Sequence, residues 1–186
     1  GLGKAGALER RPYPPGQHGQ KRKKLSDYTV RLMEKQKIIF HYGLRESQLR
    51  GYVRKAKKAK DMAWVDALIV KLECRLDNVI FRLNFAPSIA SARQMILHGH
   101  VRINGKKSRL PGITVDKGDK VTLSTKGLTS GNYLQAKAKP RMVTPAFLAK
   151  DTESGHEVGL MVARPDPKDI PFTFNSQLLT EFYWKV

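Results

Sequence analysis

Seventeen of the chain's 35 Lys and Arg residues fall within the first 60 positions, against only four of its 16 Asp and Glu. That stretch alone carries a net charge of +13; residues 61–124 carry +4 and residues 125–186 carry +2. A total of +19 on 186 residues opposes compaction by self-repulsion unless a polyanion neutralises it. Nucleic acid is the first candidate and an anionic membrane surface the second. No apolar run approaches the roughly 20 residues that span a bilayer, and the start shows no secretion-signal pattern. The single cysteine, Cys74, excludes an internal disulfide and a Cys-rich zinc finger within these residues. Hydrophobic residues make up 40%, enough to bury a core in one ordinary domain or two small ones.

Residues 1–25 read as an extended basic arm. Their glycines and the run Arg11-Pro12-Tyr13-Pro14-Pro15-Gly16 argue against any regular helix, and Gln20-Lys21-Arg22-Lys23-Lys24 adds a cationic patch. The arm is either a disordered tail or a segment ordered along RNA, where Tyr13, Gln17 and His18 can stack or hydrogen-bond. A helix begins at the Ser26 cap, places Tyr28, Leu32, Lys35, Ile39 and Tyr42 near one face, and stops at Gly43. A second runs from about Glu46 to Lys60. Leu49, Tyr52, Val53 and Ala56 form its buried stripe, and Arg50, Arg54, Lys55, Lys57 and Lys58 crowd the rest. A third covers 61–73, with Asp61 as its cap. A basic helix on a membrane surface remains the rival, but the aromatic residues here are committed to packing.

The middle of the chain has a tighter grammar. Leu76, Val79, Ile80 and Leu83 give a short amphipathic helix, which Ala86-Pro87 ends. Ser88 caps a second one, carrying Ile89, Ala92, Met95 and Ile96. Val101-Arg102-Ile103 alternates as a strand, and Asn104-Gly105 is a two-residue hairpin signal. Further strands are expected at 113–115 and 121–123. A basic surface comprising Arg93, Arg102 and Lys106 is expected around this hairpin.

Arg75-Leu76-Asp77-Asn78-Val79, Ala92-Arg93-Gln94-Met95 and the run from His98 to Lys106 (HGHVRINGK) resemble the RNA-binding module named after ribosomal protein S-four. The flanks narrow the resemblance. Arg11 to Gly19 (RPYPPGQHG), Arg31 to Lys37 (RLMEKQK), Tyr42-Gly43-Leu44 and Leu178 to Trp184 (LLTEFYW) are similar to the small-subunit ribosomal protein S-four family, bacterial or organellar type. The resemblance covers essentially the whole chain. It implies a structural component of the small ribosomal subunit, in a bacterial cytoplasm or an organelle. Such a protein binds small-subunit rRNA directly, nucleates assembly of its 5′ domain and supports translational accuracy. It implies ribosomal protein S-five as a neighbour and contact with mRNA at the entrance channel, with no membrane partner. Some family members hold zinc through cysteines near the N-terminus; no cysteine precedes Cys74 here, so no metal and no other cofactor is expected.

The fold class expected is α+β. An N-terminal helical lobe is completed by the C-terminal tail, with a helix-turn-helix plus small-sheet RNA-binding module inserted. The divisions are a basic arm over 1–25, a helical lobe over 26–73 completed by 171–186, the module over 74–124, and a loop-rich extension with strands over 125–170, packed on the module. Val158, Leu160 and Val162 alternate as one of those strands. Phe172, Phe174, Phe182, Tyr183 and Trp184 suit a tail folded onto the N-terminal helices, with a protein–protein surface as the rival.

No phosphate-cradling loop of the GxxxxGK[ST] type occurs, and His98 and His100 lack partners at metal-ligand spacing. An enzyme is therefore not expected, and Asp77 is read as pairing with a local Arg or capping its helix. Three other readings carry less weight: a non-ribosomal RNA binder carrying the module, an RNA-modifying enzyme or a fragment of one, and a DNA-binding helix-turn-helix. The RNA-contact candidates in the N-terminal part are Arg10, Arg11, Tyr13, His18, Lys21, Arg22, Lys23, Arg50, Arg54, Lys57 and Lys58. In the module they are Arg75, Arg93, His98, His100, Arg102, Asn104, Lys106 and Lys107. With roughly 6–10 phosphate contacts, affinity for structured RNA should fall about 10³–10⁵-fold between about 50 and 200 mM salt. Filter binding across that range checks this, and a flat profile would contradict an electrostatic interface.

Overall fold

The computed structural model describes residues 7–20, 24–153 and 155–184. The chain divides into two compact units. The first takes the described residues up to Leu44 together with those from Phe172 onward; the second runs from Arg45 to Pro171. The helical lobe expected over 26–73 is thus split between them.

The first unit opens with one helical turn, α1 (Ala7–Arg10), and then α2 (Asp27–Tyr42). The turn corrects the expectation of no helix in the arm: Ala7 to Arg10 contains neither Gly nor Pro. In α2 the Ser26 hydroxyl accepts from the Thr29 N–H, and Gly43 ends the helix at φ 58°. The buried face is Glu34, Lys35, Ile38, His41 and Tyr42, whereas Tyr28 is exposed and Ile39 only half-buried, so the expected stripe is rotated by about one position.

The tail returns to this helix as α9 (Ser176–Phe182), capped by Asn175. Arg31 Nε meets Glu181 Oε2 at 2.6 Å, and the Asn175 N–H donates to Glu34 Oε2 at 2.9 Å. Leu179 and Tyr183 are buried, and Phe172 lies 4.3 Å from the His41 ring. Trp184, expected to share in this packing, is 81% exposed.

The second unit starts with α3 (Glu46–Ala56) and α4 (Trp64–Glu73). The helix expected to reach Lys60 stops at Ala56 because that is its last buried side chain. Lys57, Lys58 and Lys60 are exposed, and they offer no apolar face to stabilise further helix. Nor does Asp61 cap α4; its carboxylate accepts from the Lys60 N–H, and the helix begins after Ala63.

Next come α5 (Leu76–Arg82) and α6 (Ile89–Leu97), the latter capped by Ser88 as its sequence signals. β1 (Val101–Ile103) and β2 (Lys106–Ser108) form the hairpin, followed by β3 (Lys120–Leu123). Asn104 at φ 49° and Gly105 at φ 78° give the two positive φ values of a type I′ turn. The strand expected at 113–115 reduces to one isolated bridge, Arg75 with Thr114.

The stretch 125–170 is more regular than a loop-rich reading implies. It holds α7 (Thr125–Leu128) and α8 (Gly131–Ala138), each begun by a serine hydroxyl cap. It also holds β4 (Leu148–Glu153) and β5 (His156–Met161). The antiparallel sheet runs β2-β1-β3-β5-β4. Its core joins α5, α6 and the sheet through Val79, Ile80, Leu83, Phe85, Met95, Ile96, Val101 and Val121.

Two acids, Glu73 and Asp77, are buried in this unit. Glu73, fully buried, accepts from Arg82 at 3.0 and 3.1 Å and from Asn78 Nδ2 at 2.7 Å. Removing one partner of a buried pair leaves the other charge uncompensated. Glu73→Ala should therefore cost about 3–5 kcal/mol in urea unfolding, and a change within experimental scatter would show that the pair is not a support.

Candidate nucleic-acid interface

The end of α6 and the β1–β2 hairpin bring four of the candidate residues together. His98 follows α6 directly, and Gly99 turns the chain at φ 74°. The Lys107 side chain lies over Gly99, and the φ of 74° at this position favours glycine. The His98 and His100 rings on either side of Gly99 are 5.9 Å apart, edge to face. Lys107 pairs across the hairpin with Arg102, so both side chains share one face of the sheet, and both are exposed.

Lys106 does not belong to that surface. The two-residue turn pairs it with Ile103, which packs on the core, so it starts from the opposite face from Arg102. Arg93 is also drawn elsewhere. Its Nε donates to Asp77 Oδ2 at 2.7 Å, and its side chain is only 26% exposed. The single surface expected from Arg93, Arg102 and Lys106 is thus replaced by one of His98, His100, Arg102 and Lys107.

Arg75 and Asn104 serve the scaffold. Arg75 is buried; Nε and Nη2 donate to the two Asp77 oxygens at 3.0 and 2.7 Å, and Nη1 donates to the Tyr52 hydroxyl at 2.9 Å. Burial disfavours its charge, but the hydrogen bonds and charge of Asp77 hold its pKa above the ordinary arginine value. Asn104 Nδ2 donates to Asp119 Oδ1 at 2.7 Å, and its Oδ1 accepts from the Lys120 N–H at 2.9 Å, so the amide locks the hairpin against β3. The candidate set omits Asp77 and Tyr52, which hold Arg75 and, through Asp77, Arg93. The Arg75-Leu76-Asp77 spacing is the sequence signal for that pairing.

On α3, Arg50 pairs with Glu46 at 3.2 Å and Arg54 is exposed; just past the helix, Lys58 is exposed and Lys57 Nζ sits 5.9 Å from the centre of the Trp64 ring. In the first unit Arg10, Arg11, Tyr13 and His18 are exposed, with the Arg11 guanidinium 5.1 Å from the Tyr13 ring centre. Lys21, Arg22 and Lys23 lie outside the described residues. No helix among the described residues is long and apolar enough to cross a membrane. Cys74 is buried, and that burial pushes its thiol pKa up to about 11.

Residues 2–73 match the ribosomal protein S4/S9 N-terminal domain, and residues 74–121 match the S4 domain. The chain is 50% identical over 183 residues to small ribosomal subunit protein uS4B of Bdellovibrio bacteriovorus, covering 98% of this chain and 88% of that protein. It is 42% identical over 180 residues to small ribosomal subunit protein uS4 of Caldicellulosiruptor saccharolyticus, covering 96% and 85%. With uS4A of Myxococcus xanthus the identity is 41% over 180 residues, again covering 96% and 85%. The chain belongs to the uS4 family of small ribosomal subunit proteins. That family is non-enzymatic, and its RNA-binding S4 domain spans α5, α6 and the hairpin here.

Within this uS4 domain, the pairings separate cations that support the fold from cations that face outward. Arg93→Ala should destabilise the free protein by about 1–3 kcal/mol, since a buried carboxylate is deprived of a charged donor. Arg102→Ala should change stability by no more than about 0.5 kcal/mol. Thermal unfolding of the two variants side by side checks this; equal shifts would contradict the separation.

Proposed function

We propose that this chain binds small-subunit rRNA directly, nucleates folding of the 5′ domain of that RNA, and supports decoding accuracy in the assembled subunit. The observation that carries the reading is the His98, His100, Arg102 and Lys107 cluster on an S4 domain. It presents two outward cations across one hairpin and two rings that can hydrogen-bond or stack beside them. The exposed residues of α3 (Arg50, Arg54), those just beyond its end (Lys57, Lys58) and those of the arm (Arg10, Arg11, Tyr13, His18) add further phosphate contacts. Each unit carries its own cations, so each can hold a different RNA helix. The mechanism is binding with counterion release, and no covalent step is involved. The reading includes ribosomal protein S-five as neighbour, mRNA passing at the entrance channel, and residence in the ribosome of a bacterium or an organelle. The near-full-length match to bacterial small-subunit proteins supports these assignments.

Arg102→Ala/Lys107→Ala should weaken binding to a 5′-domain transcript and lower the salt slope by about 1.8, at about 0.9 for each phosphate no longer neutralised. The free protein should unfold at nearly the same temperature. Unchanged affinity and slope would remove the hairpin from the interface. A high-salt wash of ribosomes tests the ribosomal role itself: the chain should stay with the small subunit, and release would favour a non-ribosomal RNA binder.

A further inference from the structure

The outer strand of the hairpin has no apolar anchor of its own. β2 consists of Lys106, Lys107 and Ser108, none of them buried, and it lies at the edge of the sheet, paired with β1. Two strands joined over so few residues are marginal without further support. At the base of β1 the support is backbone: the Ser124 N–H donates to the His100 carbonyl at 2.7 Å. Beyond β2, the Pro111 and Ile113 carbonyls accept from the Asp77 and Leu76 N–H groups at 3.1 and 2.9 Å.

At the tip the support comes from side chains. The half-buried Asp119 accepts from Asn104 Nδ2 at 2.7 Å through Oδ1 and from the Asp116 N–H at 2.8 Å through Oδ2. Asn104 Oδ1 accepts from the Lys120 N–H at 2.9 Å, and the Asn104 N–H donates to the Lys120 carbonyl at 2.8 Å. The 116–119 turn is itself tied to the end of β5. The Gly118 N–H donates to the Met161 carbonyl at 2.8 Å, and the Met161 N–H donates to the Asp119 carbonyl at 3.1 Å. Asp119 thus joins the exposed hairpin tip to an inner strand of the sheet. By its charge alone, a carboxylate at the tip of an RNA-facing hairpin works against phosphate binding. The geometry nonetheless calls for an acid, because both of its oxygens face N–H donors and an ionised carboxylate only accepts.

We propose that Asp119, acting through Asn104, is a positioning residue for RNA binding: it fixes the hairpin tip and so holds Lys107 beside Arg102, where phosphate can meet both. The role rests on the RNA-binding reading above. Arg102 and Lys107 share one face only while β1 and β2 keep their register, and that register follows from the turn at Asn104 and Gly105. Without the clamp the turn and β2 fray, and Lys107 leaves its place opposite Arg102. His98 and His100 stay, held by α6 and by the Ser124 N–H.

The test measures binding of the full chain to a 5′-domain transcript. Charge and position predict opposite signs. Removing one negative charge should tighten binding, whereas loss of the clamp in Asp119→Ala should weaken it about tenfold, within the range of coupling between contacting residues. In that background Lys107→Ala should cost much less affinity than in the parent chain. The exchange Asn104→Asp/Asp119→Asn keeps the net charge. The carboxylate at 104 then accepts from the Lys120 N–H and from the amide at 119, whose oxygen accepts from the Asp116 N–H, and the turn takes Asp as well as Asn. This exchange should regain most of the lost affinity. Ser130→Ala, which removes the hydroxyl cap of α8, controls for a general loss of stability and should leave affinity unchanged. The proposal is overturned if Asp119→Ala binds as tightly as the parent or more so, if Lys107→Ala costs the same in both backgrounds, or if Ser130→Ala loses as much affinity. Should Asp119→Ala fail to fold, Asn104→Asp takes its place: it sets two carboxylates against each other and should bind more weakly than the exchange, and equal binding overturns the proposal. If the parent binds through Arg102 and Lys107 but Asp119 proves indifferent, only the positioning role falls. If the parent does not bind the transcript, the RNA reading falls with it.

Discussion

The buried carboxylate of Asp77 is the interaction on which the second unit depends. It accepts from two guanidinium groups, Arg75 and Arg93, and from the Asn78 N–H. Burying a charge is costly unless its partners satisfy it in good geometry. Here the partners come from three places. Arg75 precedes α5, Arg93 rides on α6, and Tyr52 of α3 holds the outer side of Arg75. The backbone at the same corner is also tied down: the Leu76 and Asp77 N–H groups donate to the Ile113 and Pro111 carbonyls. One acid thus fixes two helices, a loop and a third helix in one arrangement. Glu73 repeats the device with Arg82, whose Nη2 also donates to the Asp169 carbonyl at 3.0 Å.

This arrangement explains how a chain with so large a positive charge folds a compact module. Some of its cations are withdrawn into pairs with buried acids, where they support the core. The others lie outside, on the hairpin, on α3 and on the arm, where a polyanion can neutralise them. The rigid corner also sets the direction of α6, and α6 ends at His98, the first residue of the exposed cluster. Support and recognition are therefore linked through a single helix.

Local signals in the sequence located much of this fold. The caps at Ser26 and Ser88, the stop at Gly43 and the Asn104-Gly105 turn depend on neighbours within a few residues, and each forms as its local chemistry dictates. The aromatic tail also found its helix, through Tyr183, Phe172 and Phe182. What local reading missed was set by distant pairing. The local pairing of Asp77 with Arg75 is legible in their spacing, but Arg93, sixteen residues on, looks like a surface cation until the fold brings it to the same carboxylate. Only the fold shows that Asn104 commits its amide to Asp119 and Lys120. The face of Lys106 is legible in the sequence, because a two-residue turn at 104–105 pairs Ile103 with Lys106 and Arg102 with Lys107. β4 escaped notice because its sequence, LAKDTE, lacks a clear alternating pattern; pairing with β5 makes it a strand.

The central claim is that the exposed cluster beside α6 contacts rRNA while the paired arginines do not. Ultraviolet crosslinking of intact small subunits, read by mass spectrometry of the attached peptides, tests it most directly. The account predicts crosslinks from small-subunit rRNA to residues 98–107, centred on His98, His100, Arg102 and Lys107, and none to Arg75. Crosslinks concentrated on Arg75 with the hairpin untouched would contradict it.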